Sequence, residues 1–211
     1  MKIPRSLGCI TVATVALLAL ADCGGTSDAS GPAASPTSPT AATLPATLAK
    51  ALAVRLDAQD GTLGKPSGSI EFDTPAGFGR LAGRAGQAAV RLGLVGEAIQ
   101  HIDADTDGIR RVLSFGSAKA AAAYLKTEEM PVARGVRVHT FKVPGIPGVV
   151  AGEQVPGKNA TGAIHSRNVA FVIGSYEYYL GVAVQPGATK PGNKDLALGA
   201  KGWYDALLKL G

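Results

Sequence analysis

The sequence predicts an α+β fold: an antiparallel sheet with helices packed on one face, preceded by a disordered tether. Three observations predict it. Residues 168–185 hold two runs of alternating apolar and polar residues joined by Gly174-Ser175, a two-residue hairpin turn with glycine at its first central position. Helix-period stripes stand at both ends of the remaining chain, at Leu44, Leu48, Leu52 and Leu56 and again at Leu196, Ala200, Trp203, Leu207 and Leu210. Residues 24–43 contain only Gly, Ser, Thr, Ala, Pro and the single acid Asp28, so nothing in them can build a core.

The chain opens with Lys2 and Arg5, followed by an uncharged apolar run over residues 7–21. A basic start before a short apolar core has the form of a secretory signal. A spanning helix needs about 20 apolar residues, so the run is short for a permanent anchor. Cys9 lies inside the signal, and Cys23 follows Leu20-Ala21-Asp22 at its end. That arrangement resembles a lipobox, with Asp22 where a small residue is usual. Ala19-Leu20-Ala21 also fits the small-x-small pattern of ordinary signal cleavage, which would start the mature chain at Asp22. A cysteine at the junction of apolar run and flexible linker has a purpose under lipidation and none under simple secretion, so Cys23 is assigned as the lipidation site.

The expected organisation is therefore a signal peptide over 1–22, lipidated Cys23 with a disordered linker over 23–43, and a single domain over 44–211. The expected location is the extracytoplasmic face of the cell membrane. Cleavage before Cys23 removes Lys2, Arg5 and Asp22 and takes the formal charge from +5 to +4. A linker of this composition spans about 25 Å as a coil. No disulfide is open to the domain, so its apolar core must suffice.

Within the domain, the first leucine stripe marks a helix that stops near Gly61. A second helix is predicted over 76–92, with Phe78, Leu81, Ala85, Ala88 and Leu92 on one face and four glycines inside it. Each of those glycines costs about 1 kcal/mol relative to alanine. Ser117 can cap a third helix running to Glu129, which Pro131 ends, and Asn193 can cap the last. Strands are predicted over 98–102, 109–115, 136–143, 149–153 and 162–166. The hairpin turn sets Ile173 opposite Tyr176, Phe171 opposite Tyr178 and Val169 opposite Leu180, all on one side. Asn168, Ala170, Glu177, Tyr179 and Ala183 fall on the other.

The runs VLSFGSAKAAAAYLK, VPGIPG and AFVIGSYEYYLGVAVQP, followed by a closing helix, resemble small actinobacterial secreted lipoproteins of unknown function. The order of elements over 99–210 is similar to extracellular sensor domains of bacterial serine/threonine kinases. The resemblance implies an envelope address and the α+β class. It includes no catalytic motif and implies no functional residues.

Chemistry-bearing motifs are sparse. Asp103, Asp105 and Asp107 with Gly108 have the spacing of a calcium loop, but Ser114 stands where a bidentate acid should close it, so they form only a weak metal candidate. His101, His139 and His165 have no close metal-binding spacing, and alternation would pack His139 beside Phe141 and Val143. The segment Gly77-Phe78-Gly79-Arg80-Leu81-Ala82 fits a loose dinucleotide pattern without the strand that should precede it. No Gly-x-Ser-x-Gly or Ser-x-x-Lys is present, and no cofactor is expected.

Tyr176, Tyr178 and Tyr179 could make a stacking platform, although the register turns two of them into the core. Arg80, Arg84 and Arg91 would share one face of a continuous second helix and form a possible anion contact. These features point to a non-enzymatic binding or accessory domain of the envelope. Its partners would be the membrane, through lipid on Cys23, and an envelope protein or anionic polymer, with no nucleic acid. An envelope hydrolase with dispersed catalytic residues is the alternative.

Overall fold

The computed structural model describes residues 44–54, 63, 65–103, 107–128, 135–158, 164–184 and 191–210. All of them belong to the unit Ser38–Gly211. Cys23, Leu56 and Asp105 lie outside the described residues, as do the signal and the linker. The elements are α1 (Leu44–Ala53), β1 (Lys65–Asp73), α2 (Pro75–Leu81), α3 (Gly83–Arg91), β2 (Leu94–Asp103), β3 (Asp107–Phe115), α4 (Ala118–Leu125), β4 (Val136–Thr140), β5 (Val150–Pro156), β6 (Ser166–Ile173), β7 (Tyr176–Ala183) and α5 (Asn193–Leu208). The strands form one sheet in the order β1-β2-β3-β7-β6-β5-β4. Every neighbouring pair is antiparallel. The class is α+β.

The hairpin has the expected register, with Val169, Phe171 and Ile173 opposite Leu180, Tyr178 and Tyr176. Gly174 turns the chain at a φ of 57°, where a side chain would be strained. The first leucine stripe is buried: Leu44, Leu48 and Leu52 of α1 pack with Leu196, Ala200, Trp203 and Leu207 of α5 over Val169, Phe171, Leu180 and Val182. The Trp203 indole N–H donates to the Ala51 carbonyl at 3.0 Å and fixes α5 against α1.

The helices do not keep to one face. A second, smaller core joins Phe78 of α2, Ala89 of α3 and Ala121 and Tyr124 of α4 to Leu94, Leu113 and Phe115, with Val172 beside them. The reason lies in β3. Val112 faces the first core and Leu113 the second, so the strand is apolar on both sides and both sides need cover.

The single helix expected over 76–92 is two helices. Thr74 caps α2, its hydroxyl oxygen accepting from the Gly77 N–H at 3.2 Å, and Pro75 occupies the first turn. The chain then breaks at Ala82 and restarts at Gly83, whose φ is 57°. The predicted stripe fails with the helix: Phe78 is buried, but Leu81 is 83% exposed.

Ser117 caps α4 as expected, accepting from the Ala120 N–H at 3.2 Å. That helix ends at Leu125 in a 3₁₀ turn. At α5 the capping position belongs to Gly192, whose N–H donates to Asp195 Oδ2, and Asn193 is already helical. Two strand boundaries also differ. β4 stops at Thr140, short of Val143, and of the strand expected over 162–166 the described Ile164 and His165 are outside any strand while Ser166 opens β6.

Strand β1 has no counterpart among the predicted elements. Its sequence KPSGSIEFD carries a proline and a glycine, and its pairing with β2 shifts between Ser67 and Glu71. An edge strand tolerates both residues and the irregularity, and alternation cannot reveal it.

Candidate functional site

Two arginines adjacent on β3 enter opposite faces of the sheet. Arg110 is fully buried among α1, α5 and β2. Its guanidinium donates to the Leu52 and Val54 carbonyls at 2.5 and 2.6 Å and to Gln100 Oε1 at 2.7 Å, and it lies 5.6 Å from the Trp203 ring centre. It thereby satisfies carbonyls at the C-terminal end of α1. Burial lowers its pKa to about 10, which still leaves it charged at neutral pH.

Arg111 pairs with the buried Glu177 at 3.2 Å and stacks on Tyr179, with Phe78 of α2 on the same side. Glu97 is 7% exposed in the same region. Burial lifts its pKa to about 7, with Arg111 opposing and Asp73 reinforcing the rise. A third polar cluster joins β5, β6 and α5. Glu153 accepts from His165 Nε2 and Arg167 at 2.7 Å and from Asn193 Nδ2 at 3.2 Å. Burial alone would raise the Glu153 pKa, and these donors together hold it below the ordinary value. Arg167 also donates to the Pro191 carbonyl at 2.7 Å, so the cluster clamps the start of α5 to the sheet.

Three concave regions are lined by described residues. One of about 550 Å³ lies over β4 and β5, between Val138, Thr140, Phe141 and Val150. A second of about 480 Å³ runs from Phe141 and Pro144 to Ala197 and Leu198, with Lys142, Lys194 and Lys201 beside it. Lys201 is paired with Asp205.

The third, of about 350 Å³, opens between α1, the C-terminal end of α5 and the tip of the β6–β7 hairpin. Ile173, Tyr176, Tyr178, Leu207 and Leu210 wall it, with Thr47, Lys50 and Ala51 from α1. Here Tyr178 is 6% exposed, stacked 5.3 Å from Phe171 and edge-on to Trp203 at 5.5 Å. Burial raises the Tyr178 pKa, as does Tyr176, so the phenol stays protonated and can donate. Its hydroxyl makes no hydrogen bond to another described residue and is not among the buried polar atoms left without a partner, so it reaches solvent. A phenol on the wall of an apolar cavity, with its hydroxyl open to solvent, is placed to meet a polar ligand atom. This cavity is the candidate site.

The residues singled out from sequence are distributed differently. Tyr176 and Tyr178 converge on the cavity, while Tyr179 is on the other face, over Arg111. Arg80, Arg84 and Arg91 are all exposed, but Arg80 is on α2 and the other two are on α3, so they do not share one helix face as expected. Asp103 ends β2 and Asp107 opens β3, paired in register.

His101 on β2 and His139 on β4 are five strands apart, about 24 Å at the usual spacing, and His165 belongs to Glu153. His139 is exposed and not packed, because β4 ends before Phe141. Among the described residues no group of three His, Cys, Asp or Glu could share a metal, and no helix is long and apolar enough to cross a membrane. Neither Lys50 nor the α1 wall of the cavity carries a sequence signal, since α1 reads only as a leucine stripe.

No protein-family model matches the sequence, and no curated protein matches it. Among solved structures the chain is similar to the extracellular domain of PknH from Mycobacterium tuberculosis, with a TM-score of 0.41 and 14% identity, covering 69% of this chain and 81% of that one.

Proposed function

We propose that the protein is a lipid-anchored extracytoplasmic lipoprotein whose domain is a non-enzymatic binding or accessory module of the cell envelope. The observation that carries the binding role is the tyrosine-walled cavity, which is largely apolar, concave and edged by the phenols of Tyr176 and Tyr178. The address rests on the basic start, the apolar run, Cys23 and the linker that follows. Arg80, Arg84 and Arg91 add a secondary contact to anionic lipid or wall polymer, each contributing about 1 kcal/mol close to such a surface.

A hydrolase reading has one observation in its favour, the raised pKa of Glu97. Among the described residues Glu97 lines none of the three concave regions, and its charged neighbours are Arg111 and Asp73.

Intact mass of protein extracted from membranes tests the anchor. The expected mature chain begins at Cys23 with acyl chains attached, and a chain beginning at Asp22 with a bare thiol would end this reading. Cys23→Ala is expected to move the protein out of the membrane fraction or leave it uncut. Any released chain should retain a salt-sensitive affinity for phosphatidylglycerol vesicles. That affinity fades above about 0.15 M salt, where exposed charges are screened within about 8 Å. Equal vesicle binding by the triple Arg80→Gln, Arg84→Gln, Arg91→Gln variant at low salt removes the arginines from the proposal and leaves the anchor standing.

A further inference from the structure

The cavity between α1, α5 and the hairpin tip carries enough chemistry to name a ligand class. Its walls are the aromatic faces of Tyr176 and Tyr178 and the aliphatic side chains of Ile173, Leu207 and Leu210. The side chains there that bear hydrogens able to meet an anion are the phenols of Tyr176 and Tyr178, the Thr47 hydroxyl and the exposed ammonium of Lys50. No acidic residue among those described lines the cavity, so the charge there is positive.

At about 350 Å³ it has room for on the order of ten water-sized groups at about 30 Å³ each. That excludes a polymer or a folded partner from the interior and suits one short chain. One ammonium among the described lining residues matches a monoanion, whereas a phosphate dianion would bring a second negative charge into an apolar setting with no cation there to meet it.

The larger groove beside Lys142, Lys194 and Lys201 is a weaker candidate. One of its lysines is already paired with Asp205, and its buried atom without a partner, Asn193 Oδ1, is an acceptor that an anion cannot satisfy.

We propose that this cavity binds a single-chain carboxylate amphiphile, with the tail against Ile173, Tyr178 and Leu207 and the carboxylate held by the Tyr178 hydroxyl and the Lys50 ammonium. The proposal rests on the reading of the domain as a binding module and deepens it by naming the ligand. The location fits an anchored protein. Thr47 and Lys50 lie on the first helix after the linker, so the cavity is built partly from the segment of the fold that follows the proposed lipid attachment most closely in sequence.

The test is photolabelling of the full-length protein in its own membranes with decanoate carrying a terminal diazirine, followed by mapping of the labelled peptides. Label is expected within residues 171–180 and 203–210, saturable and displaced by excess decanoate. Tyr178→Phe, which keeps the ring and removes only the hydroxyl, should cut labelling at subsaturating probe about tenfold. Lys50→Gln should cut it about three- to fivefold. Leu210→Trp, at a rim position already 42% exposed, should block it without disturbing the fold.

Label that is spread over the surface or does not saturate overturns the proposal. So does displacement by decanol or decyl phosphate as efficient as by decanoate. Intact mass of the same samples reads the anchor independently: an unlipidated chain with saturable label sinks the lipoprotein reading alone, and a lipidated chain without saturable label sinks the ligand alone.

Discussion

Glu97 illustrates how one carboxyl can tie stability to pH. In the unfolded chain it titrates near 4.5, and in the folded protein burial raises that to about 7. Above pH 4.5 the unfolded chain releases the proton while the folded protein retains it, so stability falls as pH climbs to about 7 and stays lower beyond. Glu97→Gln removes the penalty. We expect the variant to be about 1–2 kcal/mol more stable than the parent at pH 8, allowing for screening, and about equal to it at pH 4. Urea titrations across that range check this, and a variant less stable at pH 8 would contradict it.

The inward arginines show why such residues were hidden from sequence. In GIRRVLSF the apolar alternation identifies a strand, yet arginine reads as outward at any position. Arg110 is inside because the end of α1 offers it bare carbonyls, and Arg111 because Glu177 and two aromatic faces meet it. Those partners lie between 33 and 68 residues away in sequence, beyond the reach of any local pattern. The cavity was half legible for the same reason. The hairpin register put Tyr176 and Tyr178 on one side, but Lys50 joins them only through tertiary packing.

Among the elements, long periodic segments announced themselves and interrupted ones did not. The leucine stripe, the hairpin and the Ser117 cap are local agreements between pattern and structure. The break between α2 and α3 is a conflict: apolar spacing favours one helix, and Gly83 allows the chain to turn out of it. A side chain at Gly83 would meet no atom within 4 Å, so its substitution isolates the backbone term. Gly83→Ala is expected to cost about 1–2 kcal/mol through the positive φ alone, leaving Leu81 exposed. Thermal melts measure the loss. A neutral or stabilising result would mean that α2 and α3 merge when the glycine is gone. At Gly199 the constraint is space, because an added Cβ would lie 2.0 Å from the Leu63 side chain. That close approach is why α5 can lie so near the segment before β1.

For the whole molecule, the decisive feature is the crossover that carries the chain from β3 through α4 to the far edge of the sheet and back, strand by strand, until β7 pairs with β3. Neighbours on either side of that seam are far apart in sequence: Gly108 faces Val182, 74 positions later. Folds dominated by such distant pairings close slowly, because the entropy of a long loop must be lost before the contact forms. Refolding followed by the fluorescence of Trp203, the single tryptophan, is expected on a millisecond-to-second scale, and a microsecond phase carrying most of the amplitude would contradict this.

The same seam sets a clock on biogenesis. Synthesis at about 5–20 residues per second separates the appearance of Gly108 from that of Val182 by roughly 4–15 s. Throughout that interval β1, β2 and β3 can exist only as a three-stranded fragment, with the future centre of the sheet exposed as an open edge that any other extended strand could occupy. The last helix arrives later still, bringing Trp203 to the face that Leu48 and Leu52 await. A nascent chain of this topology keeps that edge open until β7 is made, so quality control has to act on the unfinished state.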